Sequence, residues 1–144
     1  MKKLIIKKSL LLLFLFLTSA AQAEDIDVEF SYVLGHDQYR FHAWSHGDQI
    51  EGKSFLNQKI LKSSKHLEAK NFENWVTKVQ SWMTEKPKLE RSVASTAPCR
   101  STYWLSLKNS SGIRTVEGCR TSAQESMHFN RISREGDFLL YSGK

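Results

Sequence analysis

Residues 71–83 read NFENWVTKVQSWM, and this stretch has the spacing of a helix with one wide apolar face. Its apolar residues recur at intervals of three and four, which is the periodicity of an amphipathic helix. They are Phe72, Trp75, Val76, Val79, Trp82 and Met83. Asn71 is suited to cap the start of this helix, and Pro87 is predicted to end it. Because so wide a stripe must be covered, the sequence predicts a sheet against it, with Trp75, Val79 and Trp82 buried.

Strands are predicted on the N-terminal side of this helix. The segment IDVEFSYVL, residues 26–34, alternates apolar and polar side chains, and QYRFHAWS, residues 38–45, does the same. The segment KSFLNQKILK, residues 53–62, fits either a third strand or the start of a helix, and a strand is favoured. Three strands are therefore expected before the helix.

A hairpin, a short helix and a last strand are predicted after the long helix. Residues 103–117 alternate on both sides of a turn at residues 109–112. The short helix is expected from Ser122 to about Arg134, and the last strand at residues 137–142. The predicted order is β-β-β-α-β-β-α-β. This is a small single α+β domain with an antiparallel sheet, one long amphipathic helix, one short helix and one disulfide.

Residues 1–23 have the three parts of a cleavable signal peptide. Lysines open the segment, residues 10–17 are an unbroken apolar run, and Ala21-Gln22-Ala23 matches a small-residue cleavage site. An uncleaved anchor is the alternative, but the run is shorter than the roughly 20 residues that span a membrane. Cleavage leaves a single exported domain at residues 24–144, with no stable membrane span. The predicted location is the periplasm or the medium of a bacterium.

The charge of the mature chain argues against nucleic acid as a ligand. The whole chain has 21 basic and 15 acidic residues and a net charge of +6. The predicted signal peptide contains four of the lysines and none of the acidic residues, so the mature chain has a net charge of only +2. Such a balance is typical of an ordinary solvated surface.

The two cysteines, Cys99 and Cys119, are predicted to form a disulfide. An even number of cysteines in an exported domain usually indicates disulfide bonding. The chain has no C-x-x-C motif, and no histidine lies near either cysteine to complete a zinc site. A symmetric hairpin places Cys119 opposite Thr102, so the bond requires a bulge, a longer loop, or Cys99 in the segment that enters the strand.

Three of the five histidines lie within residues 35–48, GHDQYRFHAWSHGD. On a straight strand His42 and His46 are about 13 Å apart, too far to bind one zinc ion. No metal site or cofactor is therefore predicted, and motifs for nucleotide binding or a nucleophilic serine are absent from the sequence. The enzymatic alternative is a small secreted hydrolase that uses His42, His46 and Asp48.

The aromatic residues Trp44 and Trp104 favour binding over catalysis. On a strand, Trp44 shares a polar face with Arg40 and His42, and a tryptophan in such a place is either covered by another element or offered to a partner. We therefore predict a binding site at Arg40, His42, Trp44 and Trp104, for a partner protein or envelope component. The order of elements is compatible with small periplasmic inhibitors and immunity proteins, by analogy of fold alone. The sequence leaves the oligomeric state open.

Overall fold

The computed structural model describes residues 24–90, 99–120 and 123–142, without the side chains of residues 86–90 and 123–126. The predicted signal peptide and Ser122 lie outside the described residues. The elements are β1 (Ile26–Leu34), β2 (Asp37–His46), β3 (Gln49–Leu56), β4 (Lys59–Ser64), α1 (Ala69–Glu90), β5 (Thr102–Asn109), β6 (Gly112–Cys119) and α2 (Ala123–Ser142).

The strands form one six-stranded antiparallel sheet in the order β4-β3-β2-β1-β5-β6. Both helices pack on the same face of this sheet. The ring of Trp75 in α1 lies 5.4 Å from that of Phe41 in β2. The ring of Phe129 in α2 lies 5.9 Å from that of Phe30 in β1. The predicted α+β class, antiparallel sheet and disulfide are confirmed.

The apolar stripe of α1 is buried, as its spacing predicts. Trp75, Val79 and Trp82 are 2%, 0% and 4% exposed. The indole Nε1 of Trp75 donates a hydrogen bond of 2.9 Å to the carbonyl of Ile132, which joins α1 to α2 in the core. No helix in the described part of the chain is long and apolar enough to cross a membrane.

The predicted ends of α1 were wrong. The helix begins at Ala69, two residues before Asn71, and continues through Pro87 to Glu90. A proline inside a helix leaves the carbonyl four residues earlier without its usual N–H donor. Here that carbonyl belongs to Met83, and Arg114 Nη2 donates to it at 3.5 Å. The sheet therefore supplies a donor for the carbonyl that Pro87 leaves unpaired.

Residues 53–62 form parts of two strands rather than one. The chain reverses at Asn57 and Gln58, which have φ angles of 49° and 69°. Two-residue hairpin turns favour such positive values because their twist matches that of the strands. The side chain of Asn57 holds the turn, accepting from the backbone N–H of Gln38 at 2.8 Å. Four strands, not three, thus precede α1.

The predicted short helix and last strand are one helix, α2, which continues through Gly136 to Ser142. The buried residues of α2 follow helical spacing, and they are Phe129, Ile132, Ser133, Gly136, Leu139 and Leu140. A Cβ at Gly136 would lie 2.9 Å from Trp75 Cζ2 and 3.1 Å from Phe30 Cε1. This glycine therefore permits close packing and does not end the helix. The observed order is β-β-β-β-α-β-β-α.

The disulfide joins Cys99 to Cys119, with their Cα atoms 5.7 Å apart. Cys119 is paired with Thr102 in the β5–β6 ladder, which is the register expected from a symmetric turn. Cys99 precedes β5, so the bond is made from the segment that enters the strand. It ties this segment to the end of the edge strand β6.

Candidate binding face

One side of the sheet is not covered by α1, α2 or any other described element, and we call it the open face. Alternation along each strand assigns its residues, because each lies next to at least one residue that is buried on the helix side. On β1, β2, β3 and β5, the open face consists of Asp27, Glu29, Ser31, Arg40, His42, Trp44, Glu51, Lys53, Phe55, Trp104, Ser106 and Lys108.

Arg40 and His42 are held by carboxylates of the neighbouring strand β1. The guanidinium of Arg40 makes two contacts with Glu29, with Nε 2.6 Å from Oε1 and Nη2 3.0 Å from Oε2. The imidazole Nε2 of His42 lies 2.9 Å from Asp27 Oδ1. Cross-strand contacts of this kind fix the direction of long side chains on a sheet.

Trp44 lies beside these pairs on β2 and is partly exposed. Its ring centroid is 4.6 Å from that of His42, and Lys53 Nζ lies 5.4 Å from its ring centroid. Asp27 and Glu51 are its direct neighbours on β1 and β3. The indole is thus oriented by polar neighbours and keeps part of its apolar surface in contact with water.

Trp104 shares the open face but stands apart from Trp44. Ser31 pairs with both Arg40 and Trp104, so these three residues lie in one row across β2, β1 and β5. Trp44 is four residues further along and two strands away, which is roughly 16 Å. Trp104 lines a cleft of about 600 Å³ beside the disulfide. The structure therefore groups Arg40, His42 and Trp44, with Trp104 at the far end.

His46 and Asp48, the polar pair of the hydrolase alternative, are not joined by a hydrogen bond or ion pair in the structure as described. His46 Nδ1 lies 3.1 Å from Asp25 Oδ2. The other oxygen of Asp25 accepts from the backbone N–H of Gly47 at 3.4 Å. The sequence alone does not indicate Asp25, because its contact with His46 depends on the β1–β2 register, in which Ile26 faces Ser45.

The structure shows neither a hydrogen-bonded nucleophile nor a metal-binding group beside the two histidine–aspartate pairs in the described part of the chain. Among the described residues, neither imidazole is hydrogen-bonded to a hydroxyl or thiol nucleophile. The nearby Ser45 accepts from the backbone N–H of Ile26 and donates to the carbonyl of Glu24. The described residues also contain no group of three or more His, Cys, Asp or Glu that could hold a metal ion.

Comparison with protein-family models, with curated proteins and with solved structures gives no match to this chain. The physical chemistry of the chain itself is therefore what bears on its function.

A second polar cluster lies on the helix side of the sheet and was not foreseen from the sequence. Asp137 in α2 accepts a short hydrogen bond from the hydroxyl of Tyr39. The guanidinium of Arg120 lies 4.1 Å from the ring centroid of Tyr32, which stacks on Tyr39 at 4.9 Å. Burial raises the pKa of Asp137, against the lowering effect of the bond from Tyr39. Burial and the neighbouring carboxylate also raise the pKa of Tyr39.

We expect Asp137→Asn to raise the thermal unfolding midpoint at neutral pH. The folded protein holds the Asp137 proton more tightly than the unfolded chain, since the folded pKa lies above the ordinary value of 3.8. This group's contribution to stability is thus fully present below 3.8 and is lost as pH rises through the folded pKa. Asparagine keeps an oxygen acceptor for Tyr39 and carries no charge.

Unfolding midpoints of both proteins between about pH 4 and pH 8 check this expectation. The advantage of the variant must shrink as the pH falls. A variant that is less stable at neutral pH would mean that the charge of Asp137 contributes to stability, for instance through Arg120.

Proposed function

We propose that this protein is an exported binding protein of the bacterial envelope, which holds a partner protein on its open face around Arg40, His42 and Trp44, with Trp104 at the edge of the contact. The observation that carries the proposal is the orientation and partial exposure of the Trp44 side chain. Its indole is oriented by His42 and Lys53 on the face that the described helices leave uncovered.

A tryptophan in this setting suits recognition for two reasons. Its ring removes a large apolar area from water when a partner covers it, and tryptophan and arginine are enriched among the residues that dominate binding energy. Its neighbours also limit its motion before binding, so that less conformational entropy is lost when the partner docks. Arg40 has a similar advantage, because Glu29 already holds its guanidinium.

The charges of the open face support a protein partner rather than a polyanion. Arg40 and His42 each contact a carboxylate of β1. Lys53 pairs with His42 across β2 and β3, and it lies two residues from Glu51 on its own strand. The described cations of this face therefore form no continuous positive stripe along which a phosphate backbone would lie.

Export is part of the proposal, and it predicts that the mature protein begins at Glu24. The three-part signal in residues 1–23 supports this prediction. The disulfide is consistent with it, since such bonds persist in oxidising compartments. N-terminal sequencing of the protein purified from the periplasm or medium gives the first residue directly. A protein that retains Met1 and fractionates with the inner membrane would contradict cleavage.

Trp44→Ala is expected to weaken partner binding by about 2 kcal/mol or more, with little change in thermal stability. The mature protein is immobilised, exposed to envelope extract, and the captured proteins are identified by mass spectrometry. The affinity of the captured partner is then measured for both forms. The partner must be lost or weakened in the variant, because capture alone does not locate the contact.

Met127→Ala is the matched control, since Met127 is 69% exposed but lies on α2, on the other side of the sheet. This variant should bind like the wild type. Equal binding by wild type, Trp44→Ala and Met127→Ala would place the contact away from the open face. Unfolding of Trp44→Ala would instead mean that the indole is needed for packing.

A hydrolase that activates water is the second candidate, favoured by the His42–Asp27 pair. A carboxylate that orients an imidazole is a common part of a general base. In this alternative, Asp27 and Asp25 take the place that the sequence suggested for Asp48, beside His42 and His46 respectively. Turnover of peptide, ester or phosphoester substrates that disappears in His42→Ala or His46→Ala, while partner capture persists, would favour it.

A further inference from the structure

The strand β4 is one edge of the sheet, and its outer side is free of other strands in the part of the chain that the structure describes. In an antiparallel pair, alternate residues turn their N–H and C=O groups away from the partner strand. Along the six residues of β4, Lys59–Ser64, the outward N–H and C=O groups thus have no partner strand over a length of about 20 Å. Such an edge is a template for one more strand.

Exposed apolar side chains are concentrated beside this edge. Ile60 and Leu61 in β4 are 60% and 57% exposed, and Tyr141 in α2 is 64% exposed. Helix α2 lies against this end of the sheet, where Lys62 Nζ is 3.0 Å from the ring centroid of Tyr141. These three residues, which we call the edge patch, are among the seven large hydrophobic side chains that are exposed in the described structure.

The charge of this edge has one sign. Lys59 and Lys62 lie in β4, Lys65 follows it, and residues 59–65 contain no acidic residue. None of these lysines forms an ion pair with another described residue. Pairing β4 with the β4 of a second copy would bring like charges together across the new ladder, which is unfavourable. The register shift opposite Ser54 and Phe55 also disturbs a regular pairing of identical strands.

We propose that the edge of β4 is a second docking site, which accepts an extended acidic segment of a partner protein as an additional strand. Backbone hydrogen bonds supply affinity in this mode of recognition, and side chains on alternate positions supply specificity. Acidic residues of the segment meet Lys59, Lys62 and Lys65, while apolar residues cover the edge patch. Ile60 pairs with Phe55 and therefore borders the open face, but this site does not involve Arg40, His42 or Trp44 and does not depend on the function proposed for them.

The experiment begins with random dodecapeptides displayed on phage and selected against the mature protein. We expect the selected peptides to alternate acidic and apolar residues. One of them is synthesised, and its Kd is measured by fluorescence anisotropy. Hydrogen exchange of the complex should show new protection of amides within residues 59–64. Affinity should fall as salt is added, because charges at an exposed edge are screened.

Variants then test the contacts. Ile60→Asn and the double variant Lys59→Glu/Lys62→Glu should each raise Kd by about tenfold or more. Ile113→Asn is the matched control, since Ile113 is 66% exposed on the opposite edge strand β6, and Lys108→Glu controls for charge. Both controls, and Trp44→Ala, should stay within about twofold of wild type. If Ile60→Asn does not fold, the double lysine variant serves alone.

Several results would overturn the proposal. They are a failure to select any peptide, selected peptides without acidic residues, protection outside β4, and equal effects of the control variants. A dimer in sedimentation that Ile60→Asn dissociates would assign the edge to a second copy of this chain instead.

Discussion

Trp75→Ala is expected to lower the free energy of unfolding by about 3–5 kcal/mol, the range for removing a large aromatic side chain from a core. The ring of Trp75 is 2% exposed and contacts those of Phe30 and Phe41 in the sheet. The substitution also removes the hydrogen bond to the carbonyl of Ile132 that links the two helices. Urea or guanidinium unfolding of the mature protein measures the loss.

Two variants make this result interpretable. Trp82→Phe should cost less than Trp75→Phe, because Trp82 Nε1 has no hydrogen-bond partner among the described residues whereas Trp75 Nε1 has one. Phe138→Ala, at a side chain 66% exposed, should change stability by no more than about 0.5 kcal/mol. A loss below about 1 kcal/mol for Trp75→Ala would be inconsistent with the packing described here.

Removing the disulfide in the double variant Cys99→Ser/Cys119→Ser is expected to cost about 2–5 kcal/mol. The two cysteines are separated by 20 positions. Closing a loop of that size lowers the entropy of the unfolded chain, which raises the free energy of unfolding by about 3 kcal/mol. The bond also fixes the segment before β5 to the end of β6. Denaturant unfolding of wild type and variant, both with and without reductant, gives the difference.

Reductant provides the internal control for this prediction. It should lower the stability of the wild type towards that of the double variant and leave the variant unchanged. Labelling of the unfolded, unreduced wild type should find no free thiol. Stoichiometric labelling of both cysteines would refute the bond and reopen a role for the thiols in redox or metal chemistry.

The features that follow from local periodicity could be predicted from the sequence. Strict alternation gives β1 at residues 26–34, as observed, and the symmetric turn after Asn109 gives the pairing of Thr102 with Cys119. The stripe that contains Trp75 and Trp82 is buried because its spacing leaves no other continuous apolar surface on that helix.

The errors arose where tertiary contacts decide between local alternatives. Gly136 looks like a helix end, but the approach of Trp75 requires a residue without a Cβ there. Pro87 looks like a helix end as well, but Arg114 on another element supplies the missing donor. Asn57 and Gln58 make a tight turn without a glycine, so the hairpin β3–β4 has little local signal.

For the candidate site, the sequence indicated the shared face of Arg40, His42 and Trp44 but not their partners. Asp25, Asp27 and Glu29 appear in sequence as ordinary polar positions of a strand. Their contacts with the side chains of β2 depend on the register set by the turn at Gly35-His36, in which Leu34 pairs with Asp37. The same register pairs His46 with Asp25 and leaves Asp48 in the next turn.

The central position of β1 has a consequence for the order in which the chain assembles. β1 meets β2 across a two-residue turn, but its other neighbour β5 is distant, with Phe30 and Leu105 separated by 75 positions. Loop-closure entropy delays contacts of high sequence separation, so we expect the β1–β4 meander to form before the β5–β6 hairpin docks. Pulse-labelled hydrogen exchange during refolding would register β1–β2 protection ahead of β5. A chain that is synthesised N-terminus first therefore has β1 as an unprotected edge until the β5–β6 hairpin docks. Misassembly with other chains is most favoured during that interval.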